Sequence, residues 1–120
     1  MADEVLIFGA RLRLTGLAPR HGRPAVDRGT LSLLALAGLK RGDRLLVLGD
    51  GGGVLTLVAA KMIGEANVVL ACCTPETAAW VRENARLNEL SGITVVEGRG
   101  FAALRGQSFS VIIGRPSFRI

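Results

Sequence analysis

The feature that most constrains the fold of this 120-residue chain is a set of short runs of consecutive apolar residues, which alternate with longer helical patterns. The runs lie within residues 44–48, 67–73, 93–98 and 109–114. Successive strand residues point to opposite faces of a sheet, so a run such as Leu45 to Leu48 requires cover on both faces. Because short loops separate strands from helices, we expect right-handed crossovers between parallel strands. The pattern therefore predicts an α/β fold with about four parallel strands.

Three helices are predicted where a capping residue precedes a helical pattern or a glycine follows it. Asp27 is expected to cap the first helix and Gly64 to end the second. The pair Thr74 and Pro75 is expected to open the third as N-cap and first helical residue. The predicted helices span 28–40, 54–63 and 75–90, and residues 101–106 are expected to add a single turn.

The N-terminal part of the chain has a different pattern. Residues 4–15 predict two short strands that turn near Gly9, and residues 16–26 hold two prolines and two glycines, which predicts a loop. A chain of this length is typical of one domain. We therefore expect a single domain, with a hairpin and loop at 1–26 and a βαβ core at 27–120.

The charge balance is basic, with 15 Lys and Arg against 10 Asp and Glu and a net charge of +5. A basic domain attracts polyanions, and RNA is the natural candidate partner. The arginines are scattered between Arg11 and Arg119, however, so a solvated basic surface is the alternative. Aromatic residues make up only 4% and tyrosine is absent, which argues against a stacking platform for single-stranded bases.

Cysteine usage and hydropathy favour a reduced, cytoplasmic protein. Cys72 and Cys73 are adjacent, and neighbouring strand residues point apart, so they are a poor disulfide pair. One histidine and two cysteines do not make a tetrahedral zinc site by themselves, and no metal is predicted. No apolar run reaches the roughly 18 residues that span a bilayer, and acidic residues precede the first apolar stretch, unlike a secretory signal.

A glycine-rich loop joins the first strand of the predicted sheet to its helix. Gly49, Gly51 and Gly53 form a G-x-G-x-G pattern. Glycine permits positive φ and a close approach of a ligand to the backbone, and the following helix N-terminus supplies N–H groups. Within a βαβ unit this loop favours a nucleotide-like cofactor, although any strand-to-helix turn can use glycine.

Four segments together carry a family resemblance. They are VDRGT at 26–30, LLVLGDGGGVLTLVAAK around the glycine loop, TPETAAWVRENARLNEL in the third helix and FSVIIGRPSF at the last strand. In this order they resemble the class I S-adenosylmethionine-dependent methyltransferases of the small-domain type, nearest the ribosomal RNA guanine methyltransferases. The resemblance implies a Rossmann-like, doubly wound sheet with strand order 3-2-1-4. It places the cofactor against Gly49, Asp50, Gly51, Gly53, Cys72, Cys73 and Arg99, and aligns Arg115, Pro116, Ser117 and Phe118 with the family's Asn-Pro-Pro-Phe motif.

The chain departs from the family at the positions that carry chemistry. Val47, Cys72 and Arg99 replace acids that face the cofactor, and Asp50 adds a carboxylate where the cofactor's own carboxylate is expected. Arg115 replaces the asparagine that orients the target amino group, and a guanidinium has no acceptor. Each lost hydrogen bond to a bound polar group costs roughly 1–3 kcal/mol. We therefore expect S-adenosylmethionine to bind weakly or not at all.

Three functions follow from these observations. The first is a methyltransferase-like domain that is not catalytic alone and acts as a structural or RNA-binding unit. The second is an active methyltransferase on RNA or a small nucleophile, in which Gly49, Gly51 and Gly53 cradle the cofactor while Pro116 and Phe118 frame the target. The third is a nucleotide or anion binder that uses Arg99 and Arg115 at the strand ends.

The end of the sheet bears on partners. A complete fold of this family has seven strands, and the fourth strand predicted here has an apolar edge without Lys or Pro. The three helices are expected to share one face, so that only the turn at 101–106, helped by the hairpin, covers the other. We therefore expect another copy of the chain, as a homodimer, or a separate partner to cover the open face or edge.

Overall fold

A parallel sheet forms the centre of the computed structural model, which describes residues 3–15, 28–49, 53–72, 75–97 and 104–114. A two-stranded antiparallel hairpin precedes the sheet. The elements in chain order are β1 (Asp3–Ile7), β2 (Ala10–Leu14), α1 (Arg28–Ala37), β3 (Leu45–Leu48), α2 (Val54–Ile63), a 3-10 turn (Glu65–Asn67), β4 (Val68–Cys72), α3 (Pro75–Leu87), β5 (Thr94–Glu97) and β6 (Val111–Gly114).

The order of the sheet is β5-β4-β3-β6, and all its neighbours are parallel. When the strands of the sheet alone are numbered along the chain, from β3 as 1 to β6 as 4, this order is 3-2-1-4. The predicted α/β fold, strand order and N-terminal hairpin are therefore confirmed. Leu45 lies opposite both Val68 and Val111, and Leu48 lies opposite Ala71 and Gly114. The four strands therefore end within one residue of one another, at one edge of the sheet.

Both faces of the two central strands are buried, as the consecutive apolar residues predict. Leu45 and Val47 are completely buried against the helices. Leu46 and Val69 point to the other face and are 6% and 1% exposed. Ile112 of β6 also points to that face but is 60% exposed, so the cover ends at the open side of the sheet.

The hairpin lies on the helical layer, and the expectation that it helps to cover the opposite face of the sheet is wrong. β2 contacts α2 and α3. The inward side chains of Leu12 and Leu14 are completely buried in the same core as the helices. α2 is thus enclosed between sheet and hairpin, which explains why eight of its ten residues are buried and why its sequence is apolar all round.

Two predicted helix ends extend too far. α1 ends at Ala37, where Gly38 takes a φ of +59°, and α3 ends at Leu87, three residues before the predicted end. Glu89 adopts a φ of +58°, and Leu90 N–H donates to the Ala85 carbonyl at 2.7 Å. This is a Schellman motif made without glycine, which is why the sequence did not indicate it. Of the predicted turn at 101–106, residues 101–103 lie outside the described residues.

The edge of the sheet where the strands begin is closed by a hydrogen-bonded carboxylate. Asp43 is 8% exposed and accepts from the Lys40 N–H and the Ser110 hydroxyl, both at 2.9 Å. The Ser110 oxygen in turn accepts from the Arg44 N–H at 2.9 Å. The Lys40 N–H and then the Ser110 hydroxyl lower the pKa of Asp43 below its ordinary value. This network ties the start of β3 to the start of β6.

Candidate functional site

The candidate site lies where the four parallel strands end, at the edge opposite Asp43. The chain leaves this edge at Leu48, Cys72, Glu97 and Gly114, which are paired across the sheet or lie one residue from a paired neighbour. Ligands of open parallel sheets bind outside these strand ends. Of the predicted site residues, Asp50, Gly51, Cys73, Arg99, Arg115, Pro116, Ser117 and Phe118 lie outside the described residues. Gly49, Gly53 and the backbone of Cys72 are described.

Gly49 directly follows β3 and continues its pairing with β4. Its φ is +72°, in the left-handed region that favours glycine, and its N–H donates to the Ala71 carbonyl at 3.0 Å. The first glycine of the loop therefore turns the chain, and its N–H is hydrogen-bonded to β4. Any donors that the loop offers a ligand come from later positions.

Gly53 is needed for the packing of α2 on α3. It is buried at the N-cap of α2 with a φ of +79°. A β-carbon at this position would lie 2.5 Å from Val81 Cγ2 and 2.9 and 3.0 Å from Trp80 Cε3 and Cζ3. Because such distances are far inside van der Waals contact, only glycine fits without movement of α3. The third glycine of the pattern thus brings two helices together.

Trp80 forms the contact between the glycine loop and α3. It is the only tryptophan of the chain and is half-buried against the core. No sequence pattern marks this role, because a single aromatic residue within a helix is most often part of the core. Its position beside Gly53 makes it a natural fluorescent reporter of the loop.

Asn84 and Asn88 hold the hairpin against α3. Asn88 Oδ1 accepts from the Arg13 N–H at 2.7 Å and its Nδ2 donates to the Arg13 carbonyl at 2.7 Å. Asn84 makes the same pair of bonds to Thr15, at 2.7 and 3.2 Å. The two amides are one helical turn apart and match alternate residues of an extended strand, so they pair the outer edge of β2 as another strand would. Both lie in the segment TPETAAWVRENARLNEL, and their four-residue spacing was the available signal.

Among the described residues, an ion pair lies at the end of β5. Glu97 ends β5, and its Oε1 lies 2.6 Å from Arg82 Nη1 of α3. Both side chains are about half exposed, so the pair contributes at most about 1 kcal/mol to stability. The pair places a cation next to the carboxylate that ends β5.

Among the described residues, no helix is long and apolar enough to cross a membrane. In the same ranges no three His, Cys, Asp or Glu residues are grouped as a metal site would require.

Comparisons with known proteins place this geometry in context. The family model described as the methyltransferase small domain matches residues 12–120. The release factor glutamine methyltransferase of Escherichia coli K12 is 28% identical over 96 residues, which are 79% of this chain and 35% of that relative. The chain thus spans about a third of the length of the curated relatives it matches.

Solved structures share the fold. The T. thermophilus 16S rRNA N2 G1207 methyltransferase, solved with AdoMet and guanosine, matches with a TM-score of 0.73 and 25% identity, over all of this chain and 33% of that one. A SAM-dependent methyltransferase from Agrobacterium tumefaciens matches with a TM-score of 0.66 and 21% identity, over 96% of this chain and 39% of that one.

Proposed function

The chain belongs to the methyltransferase small-domain family, and from this premise we propose that it is a degenerate member, not catalytic alone, which serves as a structural or RNA-binding unit. The observation behind this proposal lies at the edge where the four parallel strands end. Among the residues that end the four strands in the described ranges, only Glu97 has a carboxylate. This carboxylate forms an ion pair with Arg82, with 2.6 Å between Glu97 Oε1 and Arg82 Nη1.

The described residues do not fit S-adenosylmethionine well. The cofactor presents an ammonium group and a ribose diol, and both need acceptors. Val47, at the position where the family has an acid, is completely buried in the apolar core. Cys72 ends β4 where an acid would bind the diol, and a thiol is a weak acceptor. The groups that would hold the charged and polar parts of the cofactor are thus replaced.

Calorimetry with S-adenosylmethionine tests this proposal. We expect no binding tighter than about 100 μM, which corresponds to about −5.5 kcal/mol. Cys72→Asp, alone and combined with Arg99→Asp, should increase the affinity, because each restores an acceptor. Cys72→Ser is the matched control without a charge. Tight binding by the unaltered chain would overturn the proposal in favour of an active methyltransferase.

The proposal of RNA binding is supported by the net charge of the chain and by its similarity to an rRNA methyltransferase. The net charge is +5, and one structural relative is described as a 16S rRNA methyltransferase. Filter retention of an rRNA fragment should weaken steeply between 50 and 200 mM salt, as expected for about three or more phosphate contacts. Retention that does not change with salt, or no retention at low salt, would contradict RNA binding. Binding of inorganic phosphate without RNA would instead favour an anion site at Arg99 and Arg115.

We also propose that the open side of β6 is covered by a second copy of the chain. In the described part of the chain β6 pairs only with β3. Ile112 on this strand is 60% exposed, and Leu36 on the neighbouring α1 is 85% exposed. Sedimentation should show a concentration-dependent dimer that Ile112→Lys disrupts. A monomer at every concentration would contradict a homodimer and leave a separate partner as the cover.

A further inference from the structure

We infer that the N-terminal hairpin sets the position of Gly53, the last glycine of the loop, with Asn84 and Trp80 as the positioning residues that connect them. The connection has three contacts: hairpin to Asn84, Asn84 to Trp80, and Trp80 to Gly53. It is a property of the chain without ligand, so it does not depend on whether the loop binds S-adenosylmethionine.

The first contact joins the end of β2 to the middle of α3. Thr15 N–H donates to Asn84 Oδ1 at 2.7 Å, and Asn84 Nδ2 donates back to the Thr15 carbonyl at 3.2 Å. Asn84 is 1% exposed. A buried amide that loses its partners is left with unsatisfied polar groups, so the position of Asn84 is closely coupled to the presence of the strand.

The second contact runs back along α3 toward its N-terminus. Asn84 Nδ2 also donates to the Trp80 carbonyl at 2.9 Å, four residues earlier. One amide therefore holds both the hairpin backbone and the helical turn that carries Trp80. Asn88 repeats the arrangement one turn farther on, where its Nδ2 donates to the Asn84 carbonyl at 2.7 Å.

The third contact connects that turn to the loop. Gly53 is the last residue of the loop and the N-cap of α2, and atoms of Val81 and the Trp80 ring lie 2.5–3.0 Å from where its β-carbon would be. Close-packed groups transmit displacement because there is no free volume to absorb it. A shift of the Trp80 turn must therefore move Gly53, and with it the end of the loop.

The clearest test changes the hairpin alone and observes the loop. Thr15→Pro removes the N–H that Asn84 accepts, without any change in α3 or in the loop. Thr15→Val is the matched control, because it keeps the N–H. We expect Thr15→Pro to shift the amide resonances of Gly49 and Gly53 and to move the Trp80 emission to longer wavelength. Thr15→Val should leave both unchanged.

Variants of α3 give an independent arm. Asn84→Ala should produce the same spectral changes, Asn88→Ala smaller ones, and Arg86→Ala none at Gly53. Among the described residues, the Arg86 side chain pairs with Glu83 on the exposed face of α3. Circular dichroism verifies that each variant keeps its helix content. The inference is overturned if Thr15→Pro and Asn84→Ala displace the hairpin resonances while Trp80 and Gly53 stay unchanged. Because no ligand is added, this result is independent of the cofactor titration.

Discussion

Gly53→Ala tests the interpretation that the last glycine of the loop serves helix packing. The variant places a methyl group at a φ of +79°, which costs an L-residue about 1–2 kcal/mol. It also forces that methyl group to 2.5 Å from Val81 Cγ2 and about 3 Å from the Trp80 ring. Overpacking of a buried contact costs about 1–3 kcal/mol. We therefore expect the free energy of unfolding to fall by about 2–5 kcal/mol, a large part of the stability of such a domain.

Urea denaturation measures this loss, and Gly38→Ala provides the matched control. Gly38 has a φ of +59°, and a β-carbon there would meet nothing within 4 Å. Gly38→Ala should therefore lower the free energy of unfolding only through the conformational cost of positive φ, about 1–2 kcal/mol. The excess for Gly53→Ala over Gly38→Ala isolates the contact with α3 and should be about 1–3 kcal/mol.

A double-mutant cycle with Val81→Ala locates that excess. Val81 is completely buried, so Val81→Ala alone should cost about 2 kcal/mol. In the double variant the nearest clashing atom is gone, so the combined loss should be smaller than the sum of the two. Equal losses for the two glycine variants, together with an additive cycle, would refute the packing role and return Gly53 to a purely conformational one.

Two further predictions concern the hairpin turn and the start of the sheet. Phe8 and Gly9 form a two-residue turn with φ of +49° and +78°, a geometry for which Asn-Gly is preferred. Phe8→Asn should therefore raise the free energy of unfolding by about 1 kcal/mol, as measured in thermal melts. A decrease would mean that the exposed Phe8 ring stabilises the hairpin. The pKa of Asp43 is lowered in the folded chain, so its stabilising effect is complete above the ordinary value of 3.8 and disappears as the pH falls through the folded value. Asp43→Asn should therefore flatten the loss of stability below that pH in urea titrations, and an unchanged pH profile would contradict this account.

Much of the architecture could be predicted because its causes are local. Consecutive apolar residues in 44–48 and 67–73 require burial on two faces, and strands joined through helices are parallel and right-handed. The hairpin was recognisable from alternation around Gly9. The end of α3 was not, because Glu89 takes the left-handed conformation that a sequence normally marks with glycine.

The candidate site could be predicted only in outline. The G-x-G-x-G spacing identified the loop, but it assigned the three glycines one common role. The contacts of Gly49 with Ala71 and of Gly53 with Trp80 and Val81 separate those roles, since they join residues more than 20 positions apart.

The amino-acid sequence by itself determined the class of fold, because burial on both faces of the strands depends on residue type within a repeating pattern. The strand order and the replacement of family acids at Val47 and Cys72 came from the resemblance of its motifs to the family. The tertiary structure alone decided where the hairpin packs and what Asn84 does. The pattern of an amphipathic hairpin shows that one of its faces must be buried but not which surface buries it. The position of the hairpin is fixed by Asn84, 69 residues from Thr15, because its side-chain amide completes the backbone hydrogen bonds of the strand.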